Sequence, residues 1–228
     1  MPNENSSQPV GKVLVLSGTA VAESDNGQRT LTVGSPVFKN DVIKTGEGSQ
    51  LQIKFNDNTQ VSQSENATLS IDNFVYNSDA ADNSDLLINM MKGTFRTISG
   101  EIVKDSPTKF MLKTPQSTIG IRGTIVDSDI GQKYELHGIE EITPGKIIVI
   151  SDSYGNIRVM KLPMQVVEFF RGKPVSDIRE MTGEELDRFQ DQAPLNLDKT
   201  STEDTFLAYT SEDAAGGVNL PDLVNDIV

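Results

Sequence analysis

A single histidine, His137, and the absence of cysteine leave this 228-residue chain few routes to covalent chemistry. Thiolate metal sites, disulfides and a cysteine nucleophile are excluded together, and a serine triad would have one base to choose from. A zinc site built on several histidines is excluded as well. His137 lies in Glu135-Leu136-His137-Gly138, which reads as a strand end or turn and gives the ring a structural role. Adjacent carboxylates such as Glu140-Glu141 point to opposite faces of a strand, the wrong arrangement for acid–base work on one bond. No Gly-x-Ser-x-Gly elbow, P-loop or dinucleotide glycine pattern occurs. These residues predict a chain that is not an enzyme and that holds no metal and no cofactor.

Three other groups of residues have chemical potential. Asp79, Asp82 and Asp85 could offer oxygens to calcium, but their spacing lacks the ligand alternation and sixth-position glycine of an EF-hand, so a solvated loop is expected. Arg122 could hold an anion, yet nothing near it completes a phosphate cradle, and a strand corner with the guanidinium on carbonyls is the simpler reading. The third group would be a substrate. Asp213-Ala214-Ala215-Gly216-Gly217 combines small residues with an acidic, aperiodic surrounding, and a protease must bind its substrate strand extended. A flexible linker into a following helix explains the same residues.

The elements that must carry these groups have the rhythm of strands. Lys12-Val13-Leu14-Val15-Leu16 is apolar on both faces, predicting a strand buried on two sides. Leu51, Ile53 and Phe55 alternate with Gln52 and Lys54, the clearest period-2 segment. Further strands are expected over 30–33, 59–61, 68–71, 74–76, 86–91, 94–98, 101–103, 110–113, 124–126, 134–136, 141–142, 146–150, 157–161 and 165–169. A hairpin loop is expected at Asp152-Ser153-Tyr154-Gly155-Asn156. Frequent turn signals and no long helical window indicate an all-β body, a sandwich, barrel or coiled solenoid. Thr182-Gly183-Glu184-Glu185 is a capping box that opens a helix running to about Gln192, stopped by Pro194. Leu220, Leu223, Val224, Ile227 and Val228 form one apolar stripe of a further helix.

The boundaries follow: a disordered N-terminus over 1–9, a β domain over 10–172, a helical segment over 173–194, and an acidic linker over 195–228 that ends in the apolar stripe. The net charge of −13 argues against nucleic acid as a partner, and residues 176–228 alone carry 13 acidic and 3 basic side chains. No window approaches the ~18 apolar residues of a membrane span. The first residues, Met1-Pro2-Asn3-Glu4-Asn5, lack the basic and apolar regions of a Sec signal peptide.

One run looks chosen residue by residue: Thr114-Pro115-Gln116-Ser117-Thr118-Ile119-Gly120-Ile121-Arg122-Gly123-Thr124. It resembles the signature of the FecR domain, with Thr114, Pro115, Gly120, Arg122, Gly123 and Thr124 as its structural positions. Earlier blocks, including Gly34-Ser35-Pro36-Val37, Asp41-Val42-Ile43-Lys44-Thr45-Gly46 and Gly93-Thr94-Phe95-Arg96, follow in that family's order. The resemblance implies an all-β module of bacterial envelope proteins, an elongated sandwich or solenoid-like body. It names no activity.

The Ala-Ala-Gly core resembles the cleavage site of Lap-type giant adhesins. That likeness implies an N-terminal retention module that folds in the periplasm and cannot follow the rest of the adhesin through its outer-membrane type I secretion channel. A periplasmic calcium-dependent cysteine protease, held back under cyclic-di-GMP control during biofilm formation, would cut it. Asp213, Ala214, Ala215, Gly216 and Gly217 would be the recognition stretch, and Leu220, Leu223, Val224 and Ile227 a docking stripe. Asp213 stands where Thr or Pro is common. The other class of function, a FecR-like periplasmic signalling or partner-binding module without proteolysis, fits the β body equally; glycan binding is disfavoured by the lack of Trp.

Overall fold

The computed structural model describes residues 8–76, 84–102, 109–121 and 123–195. Period-2 apolar segments have one face to bury, and two sheets laid face to face meet that need. The chain builds them by passing repeatedly between the layers. β1 (Gly11–Ser17) lies in the first sheet, and β2 (Ala20–Ser24) with β3 (Gly27–Thr30) in the second. β4 (Pro36–Val37) returns to the first, and β5 (Val42–Thr45) to the second. β6 (Gln50–Phe55) and β7 (Gln60–Gln63) form a hairpin in the first, and β8 (Thr68–Val75) joins the second.

β9 (Asp85–Ile98) belongs to both layers. Its first half pairs antiparallel with β8 and parallel with β10 (Phe110–Lys113) in the second sheet. From Phe95 onward it pairs with β7 in the first sheet. Gly93 has φ +106, a left-handed conformation that other residues adopt only with strain, and a Cβ there would lie 2.4 Å from Ala67 Cβ. The sequence reading broke this strand at Gly93; the glycine instead lets one strand change sheets.

The second half repeats the alternation. β11 (Ser117–Gly120) pairs with β10, and β12 (Thr124–Ile130) and β13 (Tyr134–Ile142) extend the first sheet from β9. β14 (Ile148–Asp152) and β15 (Ile157–Met160) extend the second from β11, with the expected hairpin between them. β16 (Gln165–Phe170) and β17 (Arg179–Glu180) finish the first. The body is an all-β sandwich, followed by α1 (Gly183–Gln192).

One apolar core lies between the layers. Val13, Ile53, Phe55, Phe95, Ile139 and Phe169 enter from the first sheet, and Ile43, Ile71, Ile88, Phe110, Ile119 and Ile150 from the second. Three local expectations change. Val13 is buried, but Lys12 is exposed and Leu14 to Leu16 are half-buried, so β1 hides one face only. Residues 31–33 leave the ladder, with Val33 exposed, because β3 ends at Thr30 and the Leu31 amide turns back to the Ala20 carbonyl. Glu101 and Ile102 form no strand, since the Glu101 amide donates to the Asp57 carbonyl of a turn.

Candidate functional site

The run from Thr114 to Gly120 turns between two strands of the second sheet, and by Thr124 the chain is in the first. Gly123 takes φ +62 at that change of layer. The expected corner is present, and the side chains of its turn hold a buried polar group in place. Thr114 Oγ1 donates to Glu135 Oε2 at 2.5 Å, and the Gln116 amide donates to Glu135 Oε1 at 3.1 Å. His137 Nε2 lies 3.2 Å from Glu135 Oε2 and 3.1 Å from Ser117 Oγ, and its Nδ1 lies 2.9 Å from Ser128 Oγ.

Glu135 and His137 are wholly buried, so every one of these contacts replaces water that folding removes. His137 is mid-strand in β13 and stacks edge-on to Phe169, at 5.4 Å between centroids. This corrects its reading as a strand end: Gly138 looked like a turn signal, but it is a strand residue with Met181 Cε 2.3 Å from where a Cβ would stand. The histidine–carboxylate–serine grouping has the residue types of a triad. Its Glu135 and His137 are wholly buried between the two sheets, and the bond from His137 to Ser117 ties β13 to β11.

Four turns converge at this end of the sandwich: 114–116, 131–133, 153–156 and 171–174. Two adjoining cavities of about 310 and 300 Å³ open there and share Pro115, Gln116, Asp152 and Ser153. Asp152 braces them. Burial works to raise its pKa, but hydrogen bonds from the Val175, Asn156 and Tyr154 amides and the Asn156 side chain outweigh that and hold it below the usual carboxylate value.

The outer face of the first sheet carries a second polar group, under α1. Arg96 Nε lies 3.1 Å from Asp127 Oδ1 and its Nη2 pairs with Glu140. Burial pushes the Asp127 carboxyl up to about 7, with Arg96 opposing and Glu140 adding to the rise. α1 closes over this group through Gln190 Nε2 to Glu140 Oε1 (2.7 Å), Arg188 to Asp129 (3.1 Å) and Thr94 Oγ1 to Gln192 Oε1 (2.6 Å). Phe189 is wholly buried against Leu136, Val166 and Met181. Both bonds of the capping box at Thr182 are made. The Pro194 carbonyl then accepts from Ser62 Oγ at 2.8 Å, tying the residues after α1 to β7.

Arg122, Asp79 and Asp82 lie outside the described residues, as do Asp213, Ala214, Ala215, Gly216, Gly217, Leu220, Leu223, Val224 and Ile227. Asp85 starts β9 and accepts from Asn73 Nδ2. Among the described residues, no three His, Asp or Glu side chains converge as metal ligands do, and no helix is long and apolar enough to cross a membrane. Sequence reading missed both the Glu135 group and the convergence of turns; the signal within reach was the run of small hydroxyl residues at Thr114 and Ser117.

Residues 41–136 match the model of the FecR protein family, which includes the corner and both strands of the first-sheet hairpin up to Leu136. Two crystal structures of a candidate anti-sigma factor from Parabacteroides distasonis ATCC 8503, at 1.65 and 2.50 Å resolution, superpose with TM-scores of 0.49 and 0.50. They share 11% and 12% identity with this chain, each over 64% of it, and the chain spans 62% of their length. A structure described as a cell surface anchoring domain shares 28% identity over 27% of this chain and 83% of its own, with a TM-score of 0.26. The superposition with a TM-score of 0.50 supports the fold alone. No curated protein matches the chain significantly.

Proposed function

We propose that this chain is a non-catalytic envelope module: a folded periplasmic body that retains a larger type I secreted adhesin at the outer membrane, with a tether cut at Ala214-Ala215-Gly216. The observation that carries the proposal is where the body closes. α1 is docked on the first sheet, Pro194 is bonded to Ser62, and the acidic segment bearing the Ala-Ala-Gly run follows at once. A retention module needs a body that resists being drawn through a pore. Long-range pairing of β9 with four strands in two layers supplies resistance, because the layers must separate before the chain can extend. The FecR match over residues 41–136 supports an envelope setting.

The partners on this reading are the secretion channel and a periplasmic calcium-dependent cysteine protease acting on this chain, under cyclic-di-GMP control in biofilm formation. The test is incubation of the chain with such a protease and calcium, read by intact mass. One cut between Asp213 and Gly217, abolished by Ala214→Arg/Ala215→Arg and by a chelator, is expected. An intact chain, or scattered cuts over 195–213, would overturn the tether.

A second reading has its own support. A FecR match together with the fold of a candidate anti-sigma factor suits a periplasmic signalling or partner-binding module without proteolysis. An uncut chain that binds another envelope protein would favour it.

A further inference from the structure

The four converging turns carry a cationic group with no carboxylate partner among the described residues. Arg171 and Lys173 line the larger cavity, and Lys133 is one turn away, its carbonyl accepting from the Arg171 amide at 2.9 Å. All three are exposed, and among the described residues none has a carboxylate partner. The Lys173 ammonium rests on the Phe170 ring, 5.7 Å from its centroid. The one acid in the wall, Asp152, already accepts four hydrogen bonds from the turns it braces. Gln116 adds a buried Nε2 with no partner, and Tyr154 is 60% exposed on the rim. Cations, an unused amide donor and an aromatic rim suit an extended peptide bearing carboxylates.

We propose that these turns bind an acidic peptide segment, and that the occupant is this chain's own 196–213. That stretch holds Asp198, Glu203, Asp204, Glu212 and Asp213 against Lys199 alone. It starts beside Pro194, which sits over β7, four strand positions from β16, or roughly 19 Å across the sheet. Eighteen extended residues reach on the order of 60 Å, enough to round the rim and enter the cavity. A strongly acidic protein leaves three cations exposed at one end, and the acidic segment begins within reach of them. Docking there sets how far Ala214 stands from the body, and it does not rest on whether Ala-Ala-Gly is cut.

The full chain allows a direct test, because it has no cysteine to confuse a single label. A nitroxide on Ser201→Cys is expected to quench the amide signals of Gln116, Ser153 and Gly172. The quenching should disappear in Arg171→Glu/Lys173→Glu and in about 1 M salt, where the screening length falls to about 3 Å. Both substitutions lie on an exposed turn, and an otherwise unchanged amide spectrum verifies the fold. Silence at these amides, or quenching that survives charge reversal, overturns the proposal. So does a result in which an added Glu-rich peptide shifts the turns while the label at 201 leaves them untouched, which would assign the site to another chain's segment.

Discussion

β12 and β13 bury polar groups on both of their faces, and the two faces are closed in different ways. Inward, Ser128, Glu135 and His137 meet the Thr114–Ser117 turn, sealed between two sheets. Outward, Asp127 and Glu140 meet Arg96, sealed by one ten-residue helix. Residues next to each other in sequence, Asp127 and Ser128, serve opposite groups because side chains alternate along a strand. The inner group cannot be exposed without parting the sandwich. The outer one can be exposed by lifting α1, which is also the element that the acidic segment follows in sequence. The two differ in what must unfold to reach them.

The largest expected effect breaks the inner group. Glu135→Ala leaves the Gln116 amide, Thr114 and His137 without their acceptor in a dry interior, and should cost about 4 kcal/mol of global stability. Urea midpoints measure it, and Glu135→Gln, which keeps an acceptor oxygen, should recover part of the loss. A midpoint unchanged in the alanine variant would mean that the corner is held by its backbone alone. Next in size is Phe189→Ala, about 3 kcal/mol of local packing. Because the helix can lift by itself, amide exchange should quicken over α1 while β9 and β12 stay protected. Equal acceleration everywhere would erase the contrast between the faces.

The outer group also carries a pH dependence. Asp127 has a folded pKa near 7 against an ordinary 3.8, so its protonated form is the one that folding favours. Its contribution is full below the ordinary value and is lost as pH rises through 7. Asp41 and Asp57 are shifted upward by burial in the same direction. Between about pH 4 and pH 7 stability should therefore fall, and Asp127→Asn should flatten that fall. An equal slope in the variant would assign the dependence to the other carboxyls.

What the sequence disclosed was local. Leu51, Ile53 and Phe55 do line one face of β6, the hairpin at 152–156 forms, and the capping box at Thr182 is made where its four residues foretold. What stayed hidden depended on a distant neighbour. Gly93 and Gly138 read as breaks because glycine usually punctuates strands. One is where β9 changes layer, the other where Met181 lies close to the strand, and both causes come from residues remote in sequence. Lys12–Leu16 has a sequence suited to burial on two faces, yet only Val13 in it is fully buried. The Pro115 corner was visible as a bend, but its partner Glu135 lies nineteen or more residues onward, beyond any spacing rule.

The smallest effect offers the finest test of the two faces. Thr182 Oγ1 accepts from the Glu185 amide at 3.2 Å, and the Thr182 amide donates to Glu185 Oε2 at 2.9 Å. Glu185 also takes Arg179, whose hydrogen bonds hold the carboxylate down at about 2 despite partial burial. Thr182→Ala removes one half of the box and should cost about 1 kcal/mol, while Arg179 keeps Glu185 in place. If α1 is a separable cover, that cost should appear in exchange of the Leu186 to Gln192 amides and leave the urea midpoint of the sandwich unmoved. A matching drop in the midpoint would mean that the helix and sandwich unfold together, and the outer group would then be as securely closed as the inner one.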